Sequence, residues 1–368
     1  MPKSKKQKKQ TKRIKTEKAK KSELISEKKE LTLELLEKTF IERMKILERR
    51  VTELEMKIKT EEEVQEEEFD ETKLILLKIL KKLAHSSPDI KSSAIINLEG
   101  LLIVDTLPKT VDKLRVSIIN TLIFICSKIL MKDFMKGEPL EITIKGTTGH
   151  LITMLAGKNI MLTSKSDNIK LGTGPLDMKR AVKEIISNLK EYKSEIPKNK
   201  ISNEEVFEII NTSRDKKIIK STETKDLCLI LKNLVDSSSQ ILASMIFILN
   251  GLPVATHLPK NFNIERLTEG SAVLVYLAGK LFQELFKGEL LQIIIRGTEG
   301  YLLLVPLLND IFLDVLVDKN VKLGLISLDI TKATKNIIKL LKNFSPPSFE
   351  AKTSLIDMET LLNNKLSN

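Results

Sequence analysis

The side chains best suited to chemistry are few and scattered. Glycine-flanked hydroxyls come first: Gly146-Thr-Thr-Gly149 and Gly297-Thr-Glu-Gly300 resemble phosphate cradles, and Gly157-Lys158 and Gly279-Lys280 each set a lysine beside a glycine. A phosphate cradle joins a strand to a helix N-terminus, whose free N–H groups meet the anion. Both Gly-Thr turns instead join one alternating strand to another. The Gly-Lys pairs lack the upstream glycine spacing and the following Ser or Thr, and Leu171-Gly-Thr-Gly174 is too short for a dinucleotide fingerprint. His85, His150 and His257 fall near a helix end, in a strand and before Leu-Pro-Lys, so no two are spaced to share a metal or to serve a cysteine nucleophile. Cys126 and Cys228 lie in apolar helical patterns, where a free thiol acts as a small hydrophobe. No disulfide framework or zinc site is expected, and a reducing cytoplasm is the expected setting. Glu61–Glu71 holds eight acidic residues in eleven but lacks the Asp/Asn spacing and glycine of a calcium loop. No catalytic, cofactor or metal residue is assigned, and a non-enzymatic protein is expected.

The strongest pattern is a repeat. Residues 98–149 and 249–300 superimpose at a constant offset of 151 positions without a gap, and 17 of the 52 positions are identical. The identities include Gly100/Gly251, Leu107-Pro108-Lys109/Leu258-Pro259-Lys260, Lys136-Gly137-Glu138/Lys287-Gly288-Glu289 and the two Gly-Thr turns. With one inserted residue the match continues to Asn168-Ile-Lys-Leu-Gly172 and Asn320-Val-Lys-Leu-Gly324. A period this long means two copies of a domain rather than a solenoid.

Each copy reads as α-β-β-α-β-β-β-α. A helix (about 72–84; about 224–235) leads into an apolar strand (93–98; 243–249) and a tight turn, Glu99-Gly100 or Asn250-Gly251, the latter a strong hairpin signal. A short second strand ends at Leu-Pro-Lys. A long helix (about 111–135; about 264–286) follows, with Gly137 or Gly288 expected to stop it. Leu140-Glu-Ile-Thr-Ile144 alternates as a half-buried strand should, and the Gly-Thr turn reverses it into 151–155 or 301–305. A fifth strand (160–163; 311–317) precedes a closing helix (about 176–192; about 330–344). The central helix is apolar over two adjacent stripes, Ile119, Ile123, Cys126, Leu130 and Phe134 beside Ile118, Leu122, Ile125 and Ile129. A helix that only covers a sheet needs one stripe. The two central helices are therefore expected to pack on each other or on a third body; a helix buried inside one thick domain is the alternative.

Outside the repeats the chain is charged. Residues 1–22 carry eleven Lys/Arg against one Glu and are read as a disordered basic tail; residues 23–71 carry nine basic and seventeen acidic side chains. Within 23–71, Leu33, Phe40, Leu47 and Leu54 recur every seven residues, with Met44, Val51 and Ile58 four residues after the last three. That is a coiled-coil seam favouring a parallel pair; the alternative is a lone helix packed on the globular part. The expected organisation is tail 1–22, coiled coil 23–71, first domain 72–193, linker 194–220, second domain 221–345 and C-terminal tail 346–368. No secretory signal is found, and the apolar runs Ile118–Cys126 and Ile241–Leu258 are too short or too broken to be read as membrane spans.

With this element order, the copies resemble roadblock-type domains, the small α/β fold of dynein light chains and of small-GTPase regulators. The residues carrying the resemblance are Asn250-Gly251-Leu-Pro-Val-Ala255, the Ile293–Leu304 block, Ile-Ile-Ile-Arg-Gly-Thr-Glu-Gly-Tyr-Leu-Leu-Leu, and Asn320–Leu325. The second copy fits from about 224 to 344, while the first departs after Gly172, where Thr173-Gly174-Pro175 stands. The resemblance implies an α/β (α+β) fold, pairing through central helices and an edge strand into one sheet, and a non-catalytic platform for small Ras-like GTPases or scaffold assembly. The expected partner or dimer interface is Ile118, Leu122, Ile125, Leu274, Leu277 and Leu281. Self-association through the coiled coil and central helices is expected as well. The competing expectation is a structural protein held to nucleic acid or an anionic membrane by residues 1–22.

Overall fold

The computed structural model describes residues 44–53, 56, 70–135, 137–167, 174–189, 223–260, 262–308 and 310–343. The expected basic tail, most of the expected coiled coil, the linker 194–220 and the C-terminal tail lie outside these residues. The described residues between 44 and 337 form one compact unit, and of the other unit only residues 338–343 are described.

The first copy runs α2 (Asp70–Ser86), β1 (Ile90–Asn97), β2 (Leu102–Asp105), α3 (Lys113–Leu130), β3 (Pro139–Gly146), β4 (Gly149–Leu155), β5 (Ile160–Ser166) and α4 (Gly174–Leu189). It follows a helical segment, α1, at residues 44–53. The second runs α5 (Glu223–Asp236), β6 (Ile241–Ile248), β7 (Leu252–His257), α6 (Ile264–Phe286), β8 (Leu290–Gly297), β9 (Gly300–Leu308), β10 (Ile311–Asp318) and α7 (Leu323–Asn343). Both copies thus have the expected αββαβββα order. All ten strands join one antiparallel sheet in the order β2-β1-β5-β4-β3-β8-β9-β10-β6-β7.

Alternating strand residues serve two different helix layers. On one face Ala94, Ile96, Ile142, Ile144, Leu151, Ile293, Ile295, Leu302 and Leu304 share a core with α3 and α6. On the other face of the first copy Ile95, Ile152, Met154 and Leu162 meet the single stripes of α2 (Leu76, Ile79, Leu80, Leu83) and α4 (Met178, Ala181, Ile185). The central helices differ from these covering helices because Val116–Ser127 of α3 is buried without interruption. Residues 113–135 form the one described segment long and apolar enough to span a membrane by composition, and most of it is buried in this core.

Local chemistry explains the element ends, and the structure departs from the expected ones at several of them. Asp112 and Asn263 cap α3 and α6 by accepting the N–H of Arg115 and Arg266. Gly100 and Gly251 take positive φ in the two hairpin turns, as expected. Gly288, however, does not make the left-handed stop of α6: Lys287 does, at φ 54°. The closing helix of the second copy begins at Leu323 rather than near residue 330. In the first copy Pro175 lies in the first turn of α4, where its missing N–H has no helical partner to lose, so the Gly174-Pro175 departure starts the helix without preventing it. The end of α3 passes into a π-helical turn, Met131–Met135, whereas α6 stays α-helical to Phe286.

Candidate functional site: the domain seam and the central-helix face

The glycine-hydroxyl motifs that imitate phosphate loops build the junction between the copies. At the seam β3 runs antiparallel to β8, with Ile142 opposite Ile295 and Ile144 opposite Ile293. At the offset of 151 these are reciprocal pairs, and Thr143 faces its own counterpart, Ile294. The copies therefore meet across a local twofold axis, the arrangement of an isologous dimer made within one chain. Side chains repeat the symmetry. Thr147 N–H donates to Glu289 O (3.0 Å) while Glu289 N–H donates to Thr147 Oγ1 (3.1 Å). Across the axis Thr298 N–H donates to Glu138 O (3.0 Å) and Glu138 N–H to Thr298 Oγ1 (3.1 Å). Lys145 donates to Gln292 Oε1 (3.2 Å), and its counterpart Arg296 pairs with Glu141 at 3.0 Å. Burial pulls the Lys145 ammonium below its usual range. Each neutral bond contributes about 0.5–1.5 kcal/mol, so the gain lies in their number and fixed register.

The glycines of the two Lys-Gly-Glu segments allow this approach. A Cβ on Gly137 would sit 2.8 Å from Thr298 Oγ1, and one on Gly288 would sit 2.9 Å from Thr147 Oγ1 and run into Thr148. Gly288 is thus needed for close contact across the seam rather than for a left-handed backbone.

Over the sheet, α3 and α6 lie antiparallel, the C-terminal half of α3 against the start of α6. Cys126 Sγ contacts Gly270 O at 3.4 Å, Leu130 fills the space a Gly270 side chain would take, and Asp133 pairs with Arg266 at 2.6 Å. Burial pushes the Cys126 thiol up to about 12, so it stays protonated and unreactive. Each copy ties its central helix to the sheet by a buried polar cluster at equivalent positions. In the first, Asn120 Nδ2 donates to Thr163 Oγ1 (2.7 Å) and Thr153 Oγ1 donates to Asn120 Oδ1 (3.0 Å). In the second, Ser271 Oγ donates to Asp314 Oδ2 (2.7 Å), and burial pushes the Asp314 carboxyl up to about 7 with the Ser271 bond partly offsetting.

The six residues expected to form the interface are all buried, none above 6% exposed. They therefore lie inside the joined core, not on open surface, and they do not form one face. At the offset of 151, Ile118, Leu122 and Ile125 correspond to Glu269, Val273 and Tyr276, whereas Leu274, Leu277 and Leu281 correspond to Ile123, Cys126 and Leu130. Cys126 and Leu130 face the neighbouring helix. Tyr276 faces away from the sheet, toward α1: its hydroxyl donates to Glu48 Oε1 at 2.6 Å, and Lys280 lies 3.7 Å from the same oxygen. The second-copy set is thus one helical step off, an error that aligning the repeats position by position would have exposed.

Helix α1 lies on this outer face. Met44, Leu47 and Val51 are buried in the core that contains α3 and α6. These three belong to the heptad series read as a coiled-coil seam, so over residues 44–53 the alternative reading, a helix packed on the globular part, describes the fold. The remaining heptad residues Leu33, Phe40, Leu54 and Ile58 lie outside the described residues. Burying each of the three side chains is worth about 1.5–3 kcal/mol before ordering costs. Burial first, then the bond to Glu48, pushes the Tyr276 phenol above its usual range, and Arg115 acts in the opposite sense.

Among the described residues no cluster of His, Cys, Asp or Glu is placed to hold a metal ion. His150 is buried in β4, and Thr147 and Thr298 are committed to the seam.

The Roadblock/LC7 domain profile matches residues 76–166 and again 229–317. Among solved structures the chain is similar to Myxococcus xanthus MglB at 18% identity, covering 36% of this chain and 100% of that one with a TM-score of 0.33. It is similar to the gliding protein MglB of Thermus thermophilus at 14% identity, covering 36% and 100% with a TM-score of 0.31. A Roadblock/LC7 domain from Streptomyces avermitilis matches at 13% identity, covering 31% and 97% with a TM-score of 0.30. No curated protein sequence matches the chain. Two segments, one in each repeat, carry the same domain signature on the same αββαβββα order, and the chain is built from two tandem roadblock-type domains.

Proposed function

We propose that this protein is a non-enzymatic scaffold whose paired roadblock-type domains form a platform for a small Ras-like GTPase. The observation that carries the reading is the reciprocal β3–β8 seam, which sets α3 and α6 side by side as one two-helix face. The platform is the side of that helix pair away from the sheet, with Ile118, Leu122 and Ile125 from one copy and Tyr276 and Lys280 from the other. It would act by shaping the partner's switch regions through contact, supplying no catalytic group. In support, the two Gly-Thr turns that a nucleotide-binding reading would draw on are engaged in the seam.

The test is affinity capture of small GTPases from the protein's own cell extract at moderate salt, using the intact chain and a chain lacking residues 1–22. Recovery of a small GTPase with both baits is expected. Recovery of only nucleic acid or membrane, lost when residues 1–22 are removed, would overturn the reading and make the basic tail the functional element.

A further inference from the structure

The platform face is occupied by the chain itself. Helix α1 lies outside both matched domains, yet its apolar side is buried with the central helices and Glu48 is held by Tyr276 and Lys280. Its other side, including Lys45, Ile46, Arg49, Thr52 and Glu53, is exposed, so α1 lies on the molecule as a one-sided strip. The stripe that meets the helix pair (Met44, Leu47, Val51) is also the heptad stripe, and one stripe cannot serve both uses at once.

We propose that residues 44–53 are an autoinhibitory cap, and that a small GTPase reaches the outer face of α3 and α6 only when this helix leaves. The proposal rests on the reading of that face as the platform. A cap of this kind needs little intrinsic affinity, because covalent attachment gives it a high effective concentration. Three buried side chains and one carboxylate are a small contact beside the roughly 800 Å² per partner of an ordinary protein interface. A partner can therefore displace the cap, but its apparent affinity falls by the fraction of molecules that are uncapped. Glu48 gives the cap its register: its carboxylate is the acceptor for the Tyr276 hydroxyl and the counter-charge for Lys280.

The test compares three full-length chains: wild type, Glu48→Lys, and Leu47→Glu with Val51→Glu. Each is assayed in two ways, by binding of a fluorescein-labelled synthetic peptide of residues 40–58 and by capture of small GTPases from the protein's own cell extract. The double variant is expected to bind the peptide at least about tenfold more tightly than wild type and to capture several-fold more GTPase. Glu48→Lys should fall between, and because it removes only a contact at the edge of the apolar stripe it gives the answer if the double variant misfolds. Failure of the peptide to bind a folded variant would show that α1 is not a separable occupant and would overturn the proposal. Tighter peptide binding with unchanged or reduced GTPase capture would overturn the inhibitory role and leave the platform reading standing. Absence of any small GTPase with all three chains would overturn the platform reading and the inhibitory role with it.

Discussion

Asp314 is fully buried in β10, where the Ser271 hydroxyl and the Val315 backbone N–H only partly offset the burial of its carboxyl. Its folded pKa, pushed up to about 7 by burial, stands well above the roughly 3.9 of an exposed aspartate. Between those values the folded chain holds a proton that the unfolded chain has lost. The contribution is therefore fully present below about pH 4, declines as pH rises, and is gone above about pH 7, where both states are ionised. At about 1.4 kcal/mol per unit, the swing is on the order of a few kcal/mol. Replacing the carboxyl by its neutral isostere in Asp314→Asn should raise the melting temperature at pH 8, leave it nearly unchanged at pH 4, and flatten the slope between. Thermal melts of both chains across that range check this, and parallel slopes would contradict it. The first domain should add no such slope, because Asn120, Thr153 and Thr163 fill the equivalent place with groups that do not titrate.

Equivalent elements of the two domains are packed by unequal neighbours, which gives a second prediction. Gly146 ends β3 against the ring of Phe282, with Glu289 O 2.6 Å from where a Cβ would stand. Gly297 ends β8 against the flexible tip of Met131, with Glu138 O at 3.0 Å. A ring and a nearby carbonyl cannot yield as a thioether tip can, so Gly146→Ala should cost about 1–3 kcal/mol and Gly297→Ala clearly less. Urea denaturation of the two variants decides it, and equal losses would count against this account of the seam. Such neighbours also mark where sequence reading stops. Periodicity and turn residues together revealed the element order of both repeats and the bounds of α6, but not the start of α7 or the π-turn after α3. The double stripe on α3 showed that the helix has partners on two sides. It could not distinguish which stripe meets which body, since Leu277 and Tyr276 are both apolar and one step apart. Nor could it show that Gly288 and Thr147 meet across the seam, because their closeness comes from strand pairing between distant segments. The heptads told that residues 44–53 bury an apolar face but not against what, since a coiled-coil partner and the α3–α6 pair present the same aliphatic surface.

For the whole molecule, the seam raises the question of why one chain carries both domains. Strand pairing does not discriminate between like and unlike partners. About the axis through Thr143 and Ile294, two first domains would bring Glu141 opposite Lys145, and two second domains would bring Gln292 opposite Arg296, much as the native seam does. The central helices do discriminate. Leu130 occupies the space beside Gly270, and a Cβ there would stand 2.5 Å from Leu130 Cδ2. The first-domain residue equivalent to Gly270 is Ile119, so a pair of first domains would bring an isoleucine into the space Leu130 needs. Overpacking of that kind, at the end of the contact where Gly270 leaves room in the native pair, costs about 1–3 kcal/mol. Cutting the chain between the repeats, within residues 194–220, should therefore yield halves that associate one-to-one when mixed, with little first-domain homodimer remaining. Native mass spectrometry of the mixture reads this directly, and a homodimer of the first half that persisted in the presence of the second would contradict it. Gly270→Ile in the second half should weaken the preference, because it places in the native pair the same side chain that the first-domain pair must accommodate.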